Sequence, residues 1–487
     1  METGEKEKTD DGSRENVKPV PLIASLAITM LSTTEGFQLG YMDALLSIFR
    51  ERGVPSNRLG LLTTLTWPFL LSFLAAPIVD RYYSASWGKR KTYLVPCKFV
   101  LTFAYFGIGM FADQAVSDTK VELLAGCLFA IGLVQLLDFN ALLGIRYEVF
   151  GPERSDLASF TLYAGVAVGQ CISYSLFVLL NSKYFCQEVL KLNTSSLVSH
   201  QMILSLFGLV NLASGLLVMW VKEPPTEEDA AKMLSTFSLA KIFLTHKQSA
   251  RATLWLLCSC FGVVAIRTSV PLMLIRRGVY REHIVMLDAA SLPVYVISNF
   301  CLKRFMIPGK IIKTCTYFLL GYLLFLHIDL LNIVSFDPAA NYNLGLVLYM
   351  IAISLEGMCP WMSYHIGFVN SITYSKYAAS YATTMLGLIN LGKVLPITLV
   401  VSLLDFLPYP LVFVLLNLGN AWVLVSTLRD GKVDLIDATP LPEYHQPLEE
   451  LSGNEERRIS FGPEGIELPT VHDHGSQDKK HIENYHG

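Results

Sequence analysis

Charge is what this sequence has least of. Aspartate, glutamate, lysine and arginine supply 16% of its 487 residues, where a soluble domain carries about a quarter. Hydrophobic residues supply 52% and the mean hydropathy is +0.44. A chain this long and this apolar belongs in a bilayer. The net charge of -3 leaves no basic domain for nucleic acid. A disulfide framework is lacking too. Of nine cysteines, only Cys186 sits in a loop; the close pair Cys258 and Cys260 lies in an apolar run and reads as core, not metal. No metal site and no cofactor is expected. "METGEKEKTDDGSRENVKP" lacks the basic, apolar and small-residue regions of a signal peptide, so the first apolar run is expected to act as an uncleaved insertion signal.

What is present is a series of long apolar runs. A helix needs about 20 apolar residues to cross a bilayer, and twelve runs qualify: 20–44, 58–79, 92–112, 121–145, 157–180, 201–221, 252–275, 283–302, 312–333, 343–364, 379–401 and 409–428. The expected fold is an all-α membrane protein of twelve transmembrane helices. The polar interruption 222–251, with "KEPPTEEDAAK", divides them into N-terminal (20–221) and C-terminal (252–428) six-helix halves. The polar segments 1–19 and 429–487 read as disordered cytosolic ends. In the tail, "RRIS" suits a basophilic kinase at Ser460, and the histidines have no metal-ligand spacing.

Lysine and arginine in short loops set orientation. Cytosolic termini put Arg81, Lys89, Arg90, Lys91, Lys303, Arg304, Lys310 and Lys313 inside. Two groups then fall on the wrong side: Arg50, Arg52 and Arg58, and Arg276, Arg277 and Arg281. The same topology places Asn193, in the acceptor triplet "NTS", in an outward or lumenal loop open to glycosylation.

The halves also repeat. The second and eighth spans each carry a mid-helix proline, Pro68 and Pro293, followed by an apolar stretch and a basic turn. Repeats of this kind are typical of secondary transporters, whose substrate site lies between the repeats near the midplane. After the second span the chain reads D-R-x(6)-G-K-R-K: Asp80, Arg81, Gly88, Lys89, Arg90 and Lys91. A positive-inside anchor accounts for the cations but not for Asp80 or Gly88. The pattern resembles the loop signature of the major facilitator superfamily. The wider stretch "WPFLLSFLAAPIVDRYYSASWGKRKTYLVP" resembles the acetyl-coenzyme A transporter family, and more loosely the related bacterial muropeptide permeases. "CPWMSYHIGFVNSITYSKYAASYATTMLGLINLGKVLP" is similar to that family's tenth and eleventh spans. The resemblance covers about 20–430 and implies the major facilitator fold, with Asp80 at the centre of a gating latch made with Arg81, Gly88, Lys89 and Arg90. It also has departures: "QLLDFNALLGIRY" keeps Asp138 and Asn140 but no tryptophan, and the first span reads "TTEGFQLGYMD".

An ionisable residue at a membrane helix centre costs at least about 2.5–3.5 kcal/mol and usually faces a cavity. Glu35 and Gln38 share one helix face, as do Asn390 and Lys393; Gln135, Asp138 and Arg146 fall within an arc of about 80°. Arg267, Asp288 and Glu356 occupy the seventh, eighth and tenth spans. For an anionic cargo the candidate contacts are Arg267, Lys393 and Arg146, assisted by Asn390, Gln38 and Gln135, because arginine grips phosphate bidentately and lysine acts as a point charge. Internal salt bridging is the alternative reading of those cations. Glu35, Asp138 and Glu356 are candidates for coupling or gating. Tyr41, Trp67, Tyr163, Trp361 and Tyr364 either stack a base or, more often, pack.

The resemblance implies a secondary transporter that carries acetyl-coenzyme A, or a related anionic acyl-CoA or nucleotide-bearing solute, across the endoplasmic reticulum membrane by alternating access. A muropeptide- or sugar-peptide-type permease and a non-transporting sensor on the same fold are the alternatives, and a homodimer is compatible with either. Enzymatic activity is not expected. A membrane acyltransferase needs a histidine base, and His283, His327 and His365 stand in no recognisable motif.

Overall fold

Inside a bilayer every backbone N–H and C=O must find its partner within the protein, and a helix does this within one segment. The computed structural model describes residues 22–84, 86–150, 155–221, 223, 254–259, 261–301, 311–359, 361–362, 369, 378–406 and 408–429, and almost all of them are helical. They belong to one compact unit, Met1–Leu441.

Before the linker come α1 (Leu22–Glu51), α2 (Ser56–Thr63), α3 (Ser72–Arg81), α4 (Lys91–Ser117), α5 (Val121–Phe150), α6 (Ser155–Gln170), α7 (Phe177–Asn181) and α8 (His200–Trp220). After it come α9 (Val263–Arg276), α10 (Arg281–Cys301), α11 (Ile311–Ser335), α12 (Tyr342–Gly357), α13 (Ala378–Leu403) and α14 (Tyr409–Arg429). Among the described residues eight helices are long and apolar enough to span, nine if the bent pair at 56–80 is one span; two shorter apolar helices, Tyr342–Gly357 and Tyr409–Val425, add to them. At 30 residues α1 is long enough but too polar to be among the eight. The expected ends 1–19 and 429–487 lie outside the described residues except Arg429, which is the last residue of α14, as does the linker 222–251 except Glu223.

The proline repeat does not produce a repeated shape. Around Pro68 the chain leaves α2 for a 3-10 segment, Thr64–Leu71, before α3 resumes. The pair bends by 51°. Proline removes one N–H and crowds the preceding turn. Thr63, Thr64 and Thr66 turn their hydroxyls onto the carbonyls of Gly60, Leu61 and Thr63, at 2.7, 2.6 and 2.8 Å. Pro293, by contrast, sits inside the unbroken helix α10.

Small residues bring α1 and α6 together. A Cβ on Gly36 would lie 2.1 Å from the Val166 carbonyl oxygen, and one on Gly169 2.2 Å from that of Thr33. Close backbone approach of this kind is how apolar helices associate without a hydrophobic driving force. Ala24, Ile28 and Leu31 of α1 pack with Val79, Leu94, Leu142, Ile145 and Val218, placing the start of α1 level with the end of α3. The two sets of helices meet where α13 lies against α2, the 3-10 segment and α3, where α1 meets α9, and where Cys171–Leu176, a π-helical segment, meets α10. Thr63 and Trp67 both reach the Thr398 hydroxyl, at 2.9 and 3.0 Å. The end of the bundle where α1 begins is its proximal face, and the end where α1 finishes is its distal face.

Candidate functional site

At the proximal face the D-R-x(6)-G-K-R-K loop folds into an ion-pair hub. Asp80 Oδ1 takes Arg90 at 2.6 Å and Lys89 at 3.2 Å. Arg90 also pairs with Glu148 of α5 at 2.8 Å. Glu223 follows α8 and accepts the backbone N–H of Arg90 at 3.2 Å and of Lys91 at 2.7 Å, capping the start of α4. Gly88 is needed twice over: its φ is +103°, and a Cβ there would lie 2.6 Å from the Glu223 carboxylate. These described partners of Asp80 all precede the linker, so the hub ties α3, α4, α5 and the end of α8 to one another. The Arg81 side chain lies outside the described residues.

Midway through the first set, Lys98 of α4 is wholly buried, donating to Asp138 Oδ2 at 2.5 Å and to the Thr34 hydroxyl at 2.6 Å. Glu35 adjoins Asp138, so one ammonium serves two carboxyl groups. Gln135 donates to the Tyr105 hydroxyl at 3.2 Å. Neither amide atom of Gln38 has a partner among the described residues. Glu35, Gln38, Gln135 and Asp138 are all buried on α1 and α5, and Lys98 reaches Asp138 from α4. Arg146 is also buried, beside Tyr163.

In the second set Arg267 stands among three carboxylates: Asp288 at 3.2 Å, Glu356 at 3.3 Å and Asp329 at 3.7 Å. It donates to the Tyr349 hydroxyl at 3.1 Å, which in turn donates to Asp288 at 2.8 Å. Internal pairing therefore engages this guanidinium on several sides. Lys393 of α13 is half-buried, with its ammonium 5.7 Å from the Trp361 ring centroid, and Asn390 lies one turn before it. Tyr41 packs among Phe177, Phe207 and His200, as a core residue. His283 bonds the Tyr342 hydroxyl at 2.8 Å and His327 the Leu323 carbonyl at 2.8 Å, while His365 and Tyr364 lie outside the described residues. Asn193 is exposed in the loop before α8. Among the described residues no cluster suits a metal ion.

The distal face carries the cations that violated the charge rule. Arg50, at the end of α1, reaches Asp405 beyond α13 at 2.9 Å, and Arg276 meets the same carboxylate at 2.9 Å. The Ser56 N–H adds a third donor at 2.8 Å. Burial alone would raise the Asp405 carboxyl, but the Arg50 and Ser56 hydrogen bonds and the arginine charge hold it well below the usual carboxylate range. Arg281 pairs with Glu51 at 2.8 Å, Ser182 donates to Glu282 at 2.5 Å, and Tyr184 stacks on Tyr280 with ring centroids 5.8 Å apart. Each of these four links, Arg50–Asp405 among them, joins a residue before the linker to one after it. Arg58 pairs with Glu122, and Arg52 and Arg277 donate to the carbonyls of Val116 and Ile333.

Sequence reasoning missed Lys98 and Asp329 although both interrupt apolar runs; the rule that exposed Arg267 applies to them equally. Glu148, Glu223 and Asp405 gave no such signal, because each stands at a helix end where charge is ordinary.

Residues 36–254 match the family described as acetyl-coenzyme A transporter 1. The chain is thus similar to that family over just under half of its length. Its fold is that of major facilitator transporters of known structure. The human organic anion transporter MFSD10 superposes with a TM-score of 0.55 at 14% identity, covering 84% of this chain and 99% of that one. The nucleoside transporter NupG gives 0.52 at 12% identity, covering 83% and 98%. A bacterial homologue of the iron transporter ferroportin gives 0.52 at 13% identity, covering 87% and 99%. Among curated relatives, an uncharacterised protein of Schizosaccharomyces pombe is 21% identical over 299 residues, 58% of this chain and 56% of its own length. An uncharacterised membrane protein of Saccharomyces cerevisiae is 26% identical over 171 residues, 31% of this chain and 30% of its own length. The chain thus spans about half the length, or less, of these two relatives. With its series of long apolar helices, this is a multi-pass membrane protein.

Proposed function

We propose that this transporter carries acetyl-coenzyme A, or a related anionic acyl-CoA, by alternating access across an intracellular membrane, with its proximal face and termini in the cytosol. The observation that carries the mechanism is the distal lock. Arg50–Asp405, Arg281–Glu51, Ser182–Glu282 and Tyr184–Tyr280 bridge the two sets of helices at one face, so a solute crosses only when those contacts part. Support for the cargo comes from the family match over 36–254. The proposed membrane is that of the endoplasmic reticulum, where transport would supply lumenal acetyl transfer. Lys393, with Asn390 on the same face and Trp361 nearby, is the proposed phosphate contact, and Gln38 and Gln135 are the proposed contacts from the first set. Uptake of labelled acetyl-coenzyme A into proteoliposomes is the test. Saturable uptake above empty vesicles supports the reading; its absence defeats the cargo.

One observation favours a second reading. Both Lys98 and Arg267 are already matched by carboxylates, which suits an amphoteric ligand of the muropeptide or sugar-peptide type. A competition panel separates the two: inhibition by a sugar-peptide but not by coenzyme A derivatives favours the second.

A further inference from the structure

Arg267 faces more carboxylates than one guanidinium neutralises. Asp288, Asp329 and Glu356 lie within 3.7 Å or less of it, and Asp43 of α1 is close enough to interact with it. The side chains of Asp329 and Glu356 are 0% and 3% exposed. Neither oxygen of Asp329, nor Oε1 of Glu356, receives a hydrogen bond among the described residues, yet the two carboxyl groups are within hydrogen-bonding reach of each other. An ionised carboxylate only accepts, so two of them share a hydrogen bond only when one carries a proton. Burying both as bare anions side by side carries a heavy desolvation penalty that one arginine, shared with Asp288, does not offset.

We infer that Asp329 and Glu356 form a proton-binding site, one proton shared between the two carboxyl groups, whose occupancy controls how tightly Arg267 is held by the second set of helices. Binding converts a pair of charge -2 into one of charge -1, with no other atom transferred. The surrounding groups are consistent with this. From α12 comes Tyr349; from α11, Tyr322, close to Glu356; from α14, Tyr409, which the Ser269 hydroxyl meets at 3.3 Å. The Cys359 thiol faces Glu356. His327 of α11 turns away, to Leu323 and the Phe413 ring. None of these supplies a second cation.

The site lies where the two sets meet. Tyr174 of the π-helical segment lies close to Asp288, and Asp43 belongs to α1, so Arg267 and Asp288 join the acid pair to the first set. Loss of the proton strengthens the pull of Asp329 and Glu356 on Arg267; its return frees Arg267 toward Asp288, Tyr174 and Asp43. Proton occupancy is thereby linked to the interface that alternating access opens. This inference rests on the transporter reading but not on the cargo.

Infrared difference spectroscopy of the full-length protein in proteoliposomes tests the site, by following the C=O stretch that protonated carboxylic acids have and carboxylates lack. Wild type should show a buried carboxylic acid band that disappears as pH rises. The band should be lost in Glu356→Gln and in Asp329→Asn and kept in Asp405→Asn. A wild type without such a band, or a band that survives in both variants, overturns the site; the wild-type reading stands whether or not a variant folds. Coupling is read with an entrapped pH dye during acetyl-coenzyme A uptake. Proton movement accompanying uptake, lost in Glu356→Gln, supports it, and uptake with no proton movement overturns it. A band without any uptake upholds the proton site and removes the cargo reading alone.

Discussion

Lys98 shows what a single buried charge does in this protein. Its ammonium is 0% exposed and held by Asp138 and Thr34, so removing it leaves carboxyl groups uncompensated in the interior. Breaking one partner of a buried pair costs about 3–5 kcal/mol, whereas replacing both by apolar residues is often neutral. Lys98→Met should therefore lower the thermal midpoint of the purified protein sharply, and Lys98→Met combined with Asp138→Leu should recover most of the loss. Equal destabilisation of the single and double variants contradicts this account. Gly88 makes a second residue-scale case. Gly88→Ala forces a left-handed conformation on a side chain that also meets Glu223, at about 1–3 kcal/mol. Adding Glu223→Ala should relieve the clash but not the backbone strain, so unfolding measurements on the pair should show partial rescue. Sequence alone marks Gly88 and Asp80 as more than charge anchors. It does not reveal Glu223, whose role depends on the end of α8 meeting the start of α4, a contact between residues far apart in the chain.

At the scale of elements, the distal lock behaves as one device built from helix ends. Asp405 carries most of it, accepting from Arg50 and Ser56 and pairing with Arg276. Its carboxyl lies below its ordinary value when folded. The sign follows: the contribution is fully present above the ordinary aspartate pKa of about 4 and is lost as pH falls from there through the lower folded value. The thermal midpoints of wild type and Asp405→Asn should differ by a constant amount above about pH 5 and converge in stronger acid. A gap that widens in acid contradicts this. Opening is checked separately: Asp405→Asn should speed modification of Ser182→Cys by a membrane-impermeant thiol reagent, relative to Ser182→Cys alone, because Ser182 is buried within the lock. The second span shows the limit of reading elements from pattern. Pro68 and Pro293 look equivalent in sequence, yet only Pro68 breaks its helix. Threonines precede Pro68 and turn their hydroxyls onto the carbonyls of Gly60, Leu61 and Thr63; no such run precedes Pro293.

For the whole molecule, the helical membrane architecture was legible because long apolar runs have few other solutions. The six cations that defied the charge rule had their explanation in contacts instead of topology: Arg50, Arg276 and Arg281 close the distal lock, while Arg52, Arg58 and Arg277 fasten neighbouring helix ends. Composition cannot separate these roles, since both place arginine at a helix end. The central claim is that solute passes only when the distal lock opens. Its most direct measurement uses Glu51→Cys with Arg281→Cys, in a chain otherwise depleted of cysteine, reconstituted and supplied with labelled acetyl-coenzyme A. A bifunctional thiol reagent that joins the two positions should abolish saturable uptake, and each single-cysteine variant treated alike should keep it. Uptake that continues undiminished across the closed link contradicts the account.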